Sequence, residues 1–387
     1  VAAVRAFAHN GVETVSGADS GLPDGHVLLT ARTRGGARSL AVVVGLRGDA
    51  GFVTPVGSAV RVRQDAADLA RRLGAGDILG AGERTTMGIL VASAGAQRLM
   101  CAVAGLRDPS EEVGNARLLP GRPATLIARG TPLRGEYRTW LGSGAPDTVQ
   151  AAGDGVAQPR SLAEALACVA ALGDDEVGVL DAPAPEALPQ LPAALVWCAT
   201  SDGGRLLAGA ARADLARLEA VCRAAELGLA PEAAGLVVGA NEDHARGRAL
   251  RRLPLTENGD ANEVGGASDG AATSDAMRHP QARHWWSVLI QRLGVAAEVR
   301  VSPVAGTGGA VYRAVVRRGT TGGVGAAGPI LATAVEATPG DAAAFAALSA
   351  VVRVQAMTNA PGTTRLALPS GASASLAAAP LGRARRV

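Results

Sequence analysis

The sequence contains no lysine; all 38 of its basic side chains are arginine. That absence excludes several kinds of chemistry. A P-loop needs a lysine at the β/γ-phosphates. Schiff-base and pyridoxal-phosphate enzymes need a lysine amine, and Ser-Lys hydrolases and protein kinases use one as well. Aromatic residues are scarce, 2% of 387, so a core must be assembled from valine, leucine and alanine. Such side chains let helices and sheets approach closely but bury less area each. Charge of one sign is not in excess, the net being +3, and the basic ending Arg383, Arg385, Arg386 is short. Nucleic-acid binding wants a clustered basic stripe with stacking aromatics, and neither is visible. Cys101, Cys168, Cys198 and Cys222 lie far apart, each in an apolar run, with no C-x-x-C pair. That spacing excludes a zinc ribbon or a redox motif and predicts buried free thiols in a reducing compartment. No charge-free apolar stretch of about 20 residues occurs, and no signal pattern opens the sequence. A cytoplasmic protein without a membrane partner is expected.

Valine-rich apolar runs read as strands at 27–33, 40–46, 89–92, 124–128, 177–180, 194–199, 235–239, 298–304 and 310–317. Amphipathic helices are expected between them. One covers 64–73, with Gly74 behind it. A second starts at Ser161, where Glu164 completes a capping box, and ends at Gly173. Others cover 212–227, 282–293 and 341–357, the last capped by Asp341. The fold class is therefore α/β or α+β, with mixed or antiparallel sheets covered by Ala/Leu-rich helices. Residues 254–277 carry five acids, Glu257, Asp260, Glu263, Asp269 and Asp275, and no arginine. Such a composition reads as a disordered insertion or linker. The expected division is an N-terminal α/β domain at 1–150, a central one at 151–253, the acidic insertion at 254–280 and a C-terminal α/β domain at 281–387.

Few motifs carry chemistry. Residues 323–328 match G-x-G-x-x-G, but 329–335 read as another strand where a dinucleotide fold needs a helix. A glycine-rich hairpin loop fits better. Glu242, Asp243 and His244 are adjacent, so they point apart and make poor common metal ligands; a solvated loop is expected there. No G-x-S-x-G elbow is present. Arg61, Arg63, Arg71 and Arg72 form the densest arginine set, either a phosphate clamp or, the simpler reading, a solvated helix face.

Three segments share one form, a small-residue loop followed by an Ala-rich amphipathic helix: 55–59 with 64–73, 152–157 with 161–172, and 332–340 with 341–355. This skeleton resembles the YcaO family, whose members activate peptide amides with ATP during azoline and thioamide formation. The likeness is strongest over 285–355, where a helix leads to Gly294, a strand at 299–304, Gly308 and Gly309, a strand at 311–316 and the last helix. The resemblance implies helix-borne carboxylates that hold magnesium and nucleotide. The residues in those places are Asp65 and Asp68 on the first helix, Glu164 on the second, and Asp174, Asp175 and Glu176 just past its end. The third helix offers Asp341 and Gln355. Aspartates stand on the first helix where the family has glutamate pairs.

The resemblance thus implies ATP and magnesium as cofactors and a peptide substrate or a maturation protein as partner. The chain would be either an ATP-dependent cyclodehydratase or its non-catalytic partner. Two other readings stay open: an unrelated small-molecule α/β enzyme, and an interaction protein whose strand edges capture an extended peptide. The sequence assigns no catalytic residue and no metal ligand set.

Overall fold

The computed structural model describes residues 2–9, 21–32, 39–74, 80–111, 118–119, 122–130, 132–142, 158–200, 204–229, 236–256, 268–304, 307, 311–319, 328–363 and 365–378. It is a mixed α/β protein with three mostly antiparallel sheets. The chain forms two compact units, Val1–Ala157 with Ala170–Val179, and Gln158–Val169 with Leu180–Val387.

The first unit is built on a five-stranded antiparallel meander: β1 (His26–Arg32), β2 (Ser39–Arg47), β3 (Ala50–Val53), β4 (Ala124–Arg129) and β5 (Arg134–Thr139). Side chains alternate across a strand, and β2 shows it. Ala41 and Val43 face α2 (Ala59–Arg72) with Phe52, Ile127 and Trp140. Val42 and Val44 face α3 (Ala81–Ala104) and α1 (Ala2–His9) with Met87, Val91 and Leu99. Helix α2 starts at Ser58, whose Oγ accepts the Arg61 N–H, and is followed by Gly74 at φ +66°.

By length and composition α3 could cross a membrane. Its Arg98 is nonetheless buried, donating to Asp108 and to the Thr54 and Ala124 carbonyls. Met87, Val91 and Leu99 are fully buried. The expected strand at 89–92 is thus the middle of this helix. Its Ile-Leu-Val run looks extended only in a short window; the buried spacing Met87, Val91, Leu99 is helical.

The second unit begins with most of α4 (Leu162–Leu172), whose first turn makes one bond of the expected capping box and shifts the other by one residue. The Ser161 Oγ accepts the Glu164 N–H, and the Glu164 carboxylate accepts the N–H of Arg160. β6 (Ala194–Ala199), β7 (Arg205–Ala210) and β11 (Leu366–Ala367) make one sheet, with β11 parallel to β7. Residues 151–253 and 281–387 therefore contribute strands to the same sheet. The other sheet has the order β10 (Ile330–Glu336), β9 (Tyr312–Arg318), β8 (Ala297–Pro303).

The remaining helices are α5 (Ala213–Leu229), α6 (Glu242–Thr256), α7 (Ser268–Ala276), α8 (Pro280–Ser287), α9 (Pro339–Asn359) and α10 (Gly371–Ala378). A π-helical turn, Val288–Arg292, extends α8. Of the segment read as an acidic insertion, 254–256 close α6, 268–276 form α7, and 257–267 lie outside the described residues. Residues 177–180 and 236–239 form no strand. Val177 is held by an aspartate turn, its N–H donating to Asp174 Oδ1.

Helix α9 lies at the centre of this unit. It buries alanine, leucine and valine around its whole circumference, which marks a core helix rather than an amphipathic one. Leu195 and Leu207 of one sheet, and Val301, Ala314 and Val316 of the other, join it in one core. Its cap is Thr338 rather than the expected Asp341: the Thr338 Oγ accepts the Asp341 N–H. Buried Gln355 ties down the loop before β6, donating to the Ala193 carbonyl and accepting the Ala193 N–H.

The close approach of β7 to α9 depends on Gly209. A Cβ there would lie 2.4 Å from Val352 Cγ1. Gly209→Ala should destabilise the protein by about 2 kcal/mol, the range of an overpacked core, measured by urea denaturation. Unchanged stability would mean that β7 and α9 are not this close.

Candidate functional site: an arginine-lined cleft

Two helices of the second unit bring charge together at helical spacing. Helix α5 presents Glu219, Arg223 and Glu226, and α6 presents His244, Arg248, Arg251 and Arg252. Helix α6 starts at Asn241, whose Oδ1 accepts the His244 N–H, with Glu242 and Asp243 in its first turn. Residues 242–244, expected as a solvated loop, are therefore the start of a helix, and His244 is buried. The signal was present: an asparagine cap followed by two acids is a helix start.

The two charged faces interlock. Arg248, itself buried, pairs with Glu219 and, at 3.3 Å, with Glu226. Glu226 also accepts from Arg252 at 3.0 and 3.1 Å, from Arg223 at 3.0 Å and from the Val238 N–H at 3.1 Å. Three guanidiniums thus surround one carboxylate. Burial works against its charge, but Arg252, Arg248 and Arg223 together hold Glu226 below the usual carboxylate range. Arg251 grips Glu336 of β10 with Nε at 2.8 Å and Nη2 at 2.6 Å, the bidentate geometry that favours arginine over lysine.

A polar chain runs behind this network. The Ala240 N–H donates to His244 Nδ1 at 3.0 Å, so Nε2 carries the proton. Nε2 donates to the Ser373 Oγ at 2.9 Å, and Ser373 donates to Glu219 at 2.6 Å. The order of donors leaves His244 no free lone pair with which to activate the serine. Burial, with Arg248 nearby, pushes the His244 pKa down to about 4. Desolvation likewise pushes the Cys222 thiol up to about 12, so it is not a nucleophile at neutral pH.

In front of the network opens a cleft of about 360 Å³. Its walls are Arg223, Arg251 and Arg252, the strand segment 333–336, Phe345, and residues 366–370.

The carboxylates that the family resemblance implied lie elsewhere. Asp65, on α2, is buried and accepts from Trp140 Nε1 at 2.8 Å and from Arg61. Asp68 accepts from Arg71 at 2.6 Å. Asp174 Oδ2 accepts from Arg138 at 2.8 Å, while its Oδ1 takes the Glu176 and Val177 N–H groups. Glu176 pairs with Arg129 at 2.8 Å. The Asp175 side chain is exposed, 3.9 Å from Arg138. Glu164 serves the α4 cap.

Each has an arginine or backbone partner, and no group of three or more His, Cys, Asp or Glu able to hold a metal occurs among the described residues. As arranged, this set does not fit magnesium and nucleotide. The arginines of α2 are also committed. Arg61 and Arg71 pair within the helix. Arg72 donates to the Val177 and Gly142 carbonyls and lies 4.6 Å over the Trp140 ring. Of the G-x-G-x-x-G run, 323–327 lie outside the described residues.

Fold and site together define a mixed α/β protein with an arginine-lined cleft at the edges of two sheets. No family model and no curated protein matches the chain. Among solved structures it is similar to one described as a heterocyclase in complex with substrate and cofactor, at 12% identity and a TM-score of 0.36. The match covers 81% of this chain and 59% of that one, so this chain spans about three fifths of its length. The likeness is too distant to carry residue roles across.

The depressed His244 pKa gives a pH dependence of defined sign. Between pH 6.5 and about 4 the unfolded chain binds a proton at this histidine and the native protein does not. Stability therefore falls as pH drops through that window, by on the order of 3 kcal/mol. His244→Gln should flatten the upper part of that window in the urea-midpoint profile, above about pH 5.5, where carboxylates are ionised in both folded and unfolded chains. A profile identical to that of the unaltered protein would refute the assignment.

Proposed function

We propose that this chain is a non-catalytic YcaO-like component of ribosomal-peptide maturation, of the azoline-forming kind, that works beside a catalytic partner. Support for the family comes from 285–355. There α8, Gly294 at φ +64°, β8, β9 and α9 follow one another in the expected order. The observation that carries the non-catalytic role is Arg248. A buried guanidinium lies between Glu219, which lines the cleft, and Glu226 behind it. A divalent ion placed there would meet a fixed positive charge in a dry site, where repulsion is strongest. The positive charge that such carboxylates need is already supplied by the chain itself.

The test is thermal denaturation with ATP, with and without magnesium. The reading expects no magnesium-dependent rise in melting temperature at millimolar ATP. A saturable, magnesium-dependent rise would show a ligand bound to the native state and would return the chain to the ATP-dependent cyclodehydratases.

A further inference from the structure

We propose that the cleft of the second unit takes an acidic peptide segment in extended form, laid along the edges of β10 and β11. Three observations converge on it. The first is which residues meet the cleft. Thr333, Ala334, Val335 and Glu336 are consecutive on β10, and Leu366 and Ala367 make up β11. Successive strand residues point to opposite faces, so one face cannot present four in a row. The cleft therefore runs along the strand edge, where backbone N–H and C=O groups lie. Both strands end their sheets, in the orders β10-β9-β8 and β11-β7-β6. An edge strand is a template for an added strand.

The second observation is charge. The carboxylates of the network are buried: Glu336, which lines the cleft, has a side-chain exposure of 6%, and Glu226, behind the lining, of 2%. The arginines that hold them rise to the surface, Arg223 at 40%, Arg252 at 36% and Arg251 at 27%. What the cleft shows to solvent is cationic, although its buried charges nearly balance. Arg223 uses Nη1 on Glu226, and Arg252 uses Nη2 there. Their other N–H groups are in place for an incoming carboxylate. Behind them, the buried Nε of Arg248 has no hydrogen-bond partner.

The third is that the lining is not only polar. Phe345, Leu366 and Leu368 stand among the arginines, which suits a strand whose side chains alternate between acidic and apolar. A small inorganic anion would use the arginines but neither the strand edges nor these apolar residues.

This deepens the reading of the chain as a peptide-maturation component and takes its biological setting from it, but its test does not involve nucleotide. Failure here leaves the ATP result standing, and the reverse also holds. The probe is a fluorescein-labelled peptide of alternating glutamate and valine, added to the full chain and followed by anisotropy at near-physiological salt. Two altered peptides leave the protein untouched: one with glutamine for each glutamate, and one N-methylated at alternate backbone nitrogens. The protein variant is Arg223→Gln with Arg252→Gln, its fold checked by circular dichroism.

The proposal expects saturable binding of the parent peptide, weakened about ten-fold or more by each of the three changes. Failure of the parent peptide to bind, or equal binding of the glutamine peptide, would overturn it. Equal binding of the N-methylated peptide would overturn the strand-edge geometry. Complete displacement by about millimolar inorganic phosphate would make this a small-anion site instead.

Discussion

A guanidinium with almost no access to water governs the second unit. Arg248 must be neutralised where it stands, and among the described residues the carboxylates that pair with it are Glu219 and Glu226 on the facing helix. Burying an ion pair is not stabilising in itself, but removing one partner strands the other in a dry environment. Helices α5 and α6 are thereby held in one register relative to each other. Much around them follows from that register. Glu219 is oriented by Ser373 of α10 as well as by Arg248. His244 stays neutral beside them, and the Cys222 thiol, on the same helix as both glutamates, is held protonated.

The cleft also depends on small residues. Glu336 lies directly over Gly371, where a Cβ would be 2.1 Å from its Oε1. Any larger residue at the start of α10 would displace the carboxylate that Arg251 grips. Gly209 allows the same closeness between β7 and α9. With 2% aromatic residues, the core cannot be filled by bulk. It is filled instead by bringing backbones together, and the alanine-rich α9 is the result. The charged cleft thus lies against a core with little room to adjust, which favours a fixed arrangement of its arginines.

Much of the frame was legible in the sequence. Valine-rich runs marked β1, β2, β4, β6, β8 and β9, and β10 was visible as a run after the glycines. The periodic stripes of α2, α4, α5, α8 and α9 were also clear. Five helices were missed, α1, α3, α6, α7 and α10, and α3 and α6 show two different reasons. In α3 a short Ile-Leu-Val run within a Gly/Ala/Thr-rich segment looked extended. In α6 a strongly polar surface looked like a loop, although Asn241 and the acids after it announced a helix. The edge strand β11, two residues long, left no pattern to read.

The site was less legible than the fold. Asp65, Asp68, Glu164, Asp174, Asp175 and Glu176 were singled out because of where they stand in the chain, and each has a local partner in the structure. The cleft depends on Glu219 and Glu226 meeting Arg248 and Arg252, a pairing between two helices that no local window contains. Only the helical spacing of charge on α5 and α6 hinted at it.

The carboxylate of Glu219, at the cleft, is satisfied by the chain's own Arg248. A double-mutant cycle of Arg248→Met and Glu219→Gln, read by denaturant unfolding, decides whether this is so. If the two residues satisfy each other, Arg248→Met alone destabilises the protein by about 3–5 kcal/mol. The double variant then loses much less than the sum of the singles, with a coupling above about 1 kcal/mol. Additive losses would mean that the two charges stand independently, and that Glu219 is free to meet some other cation.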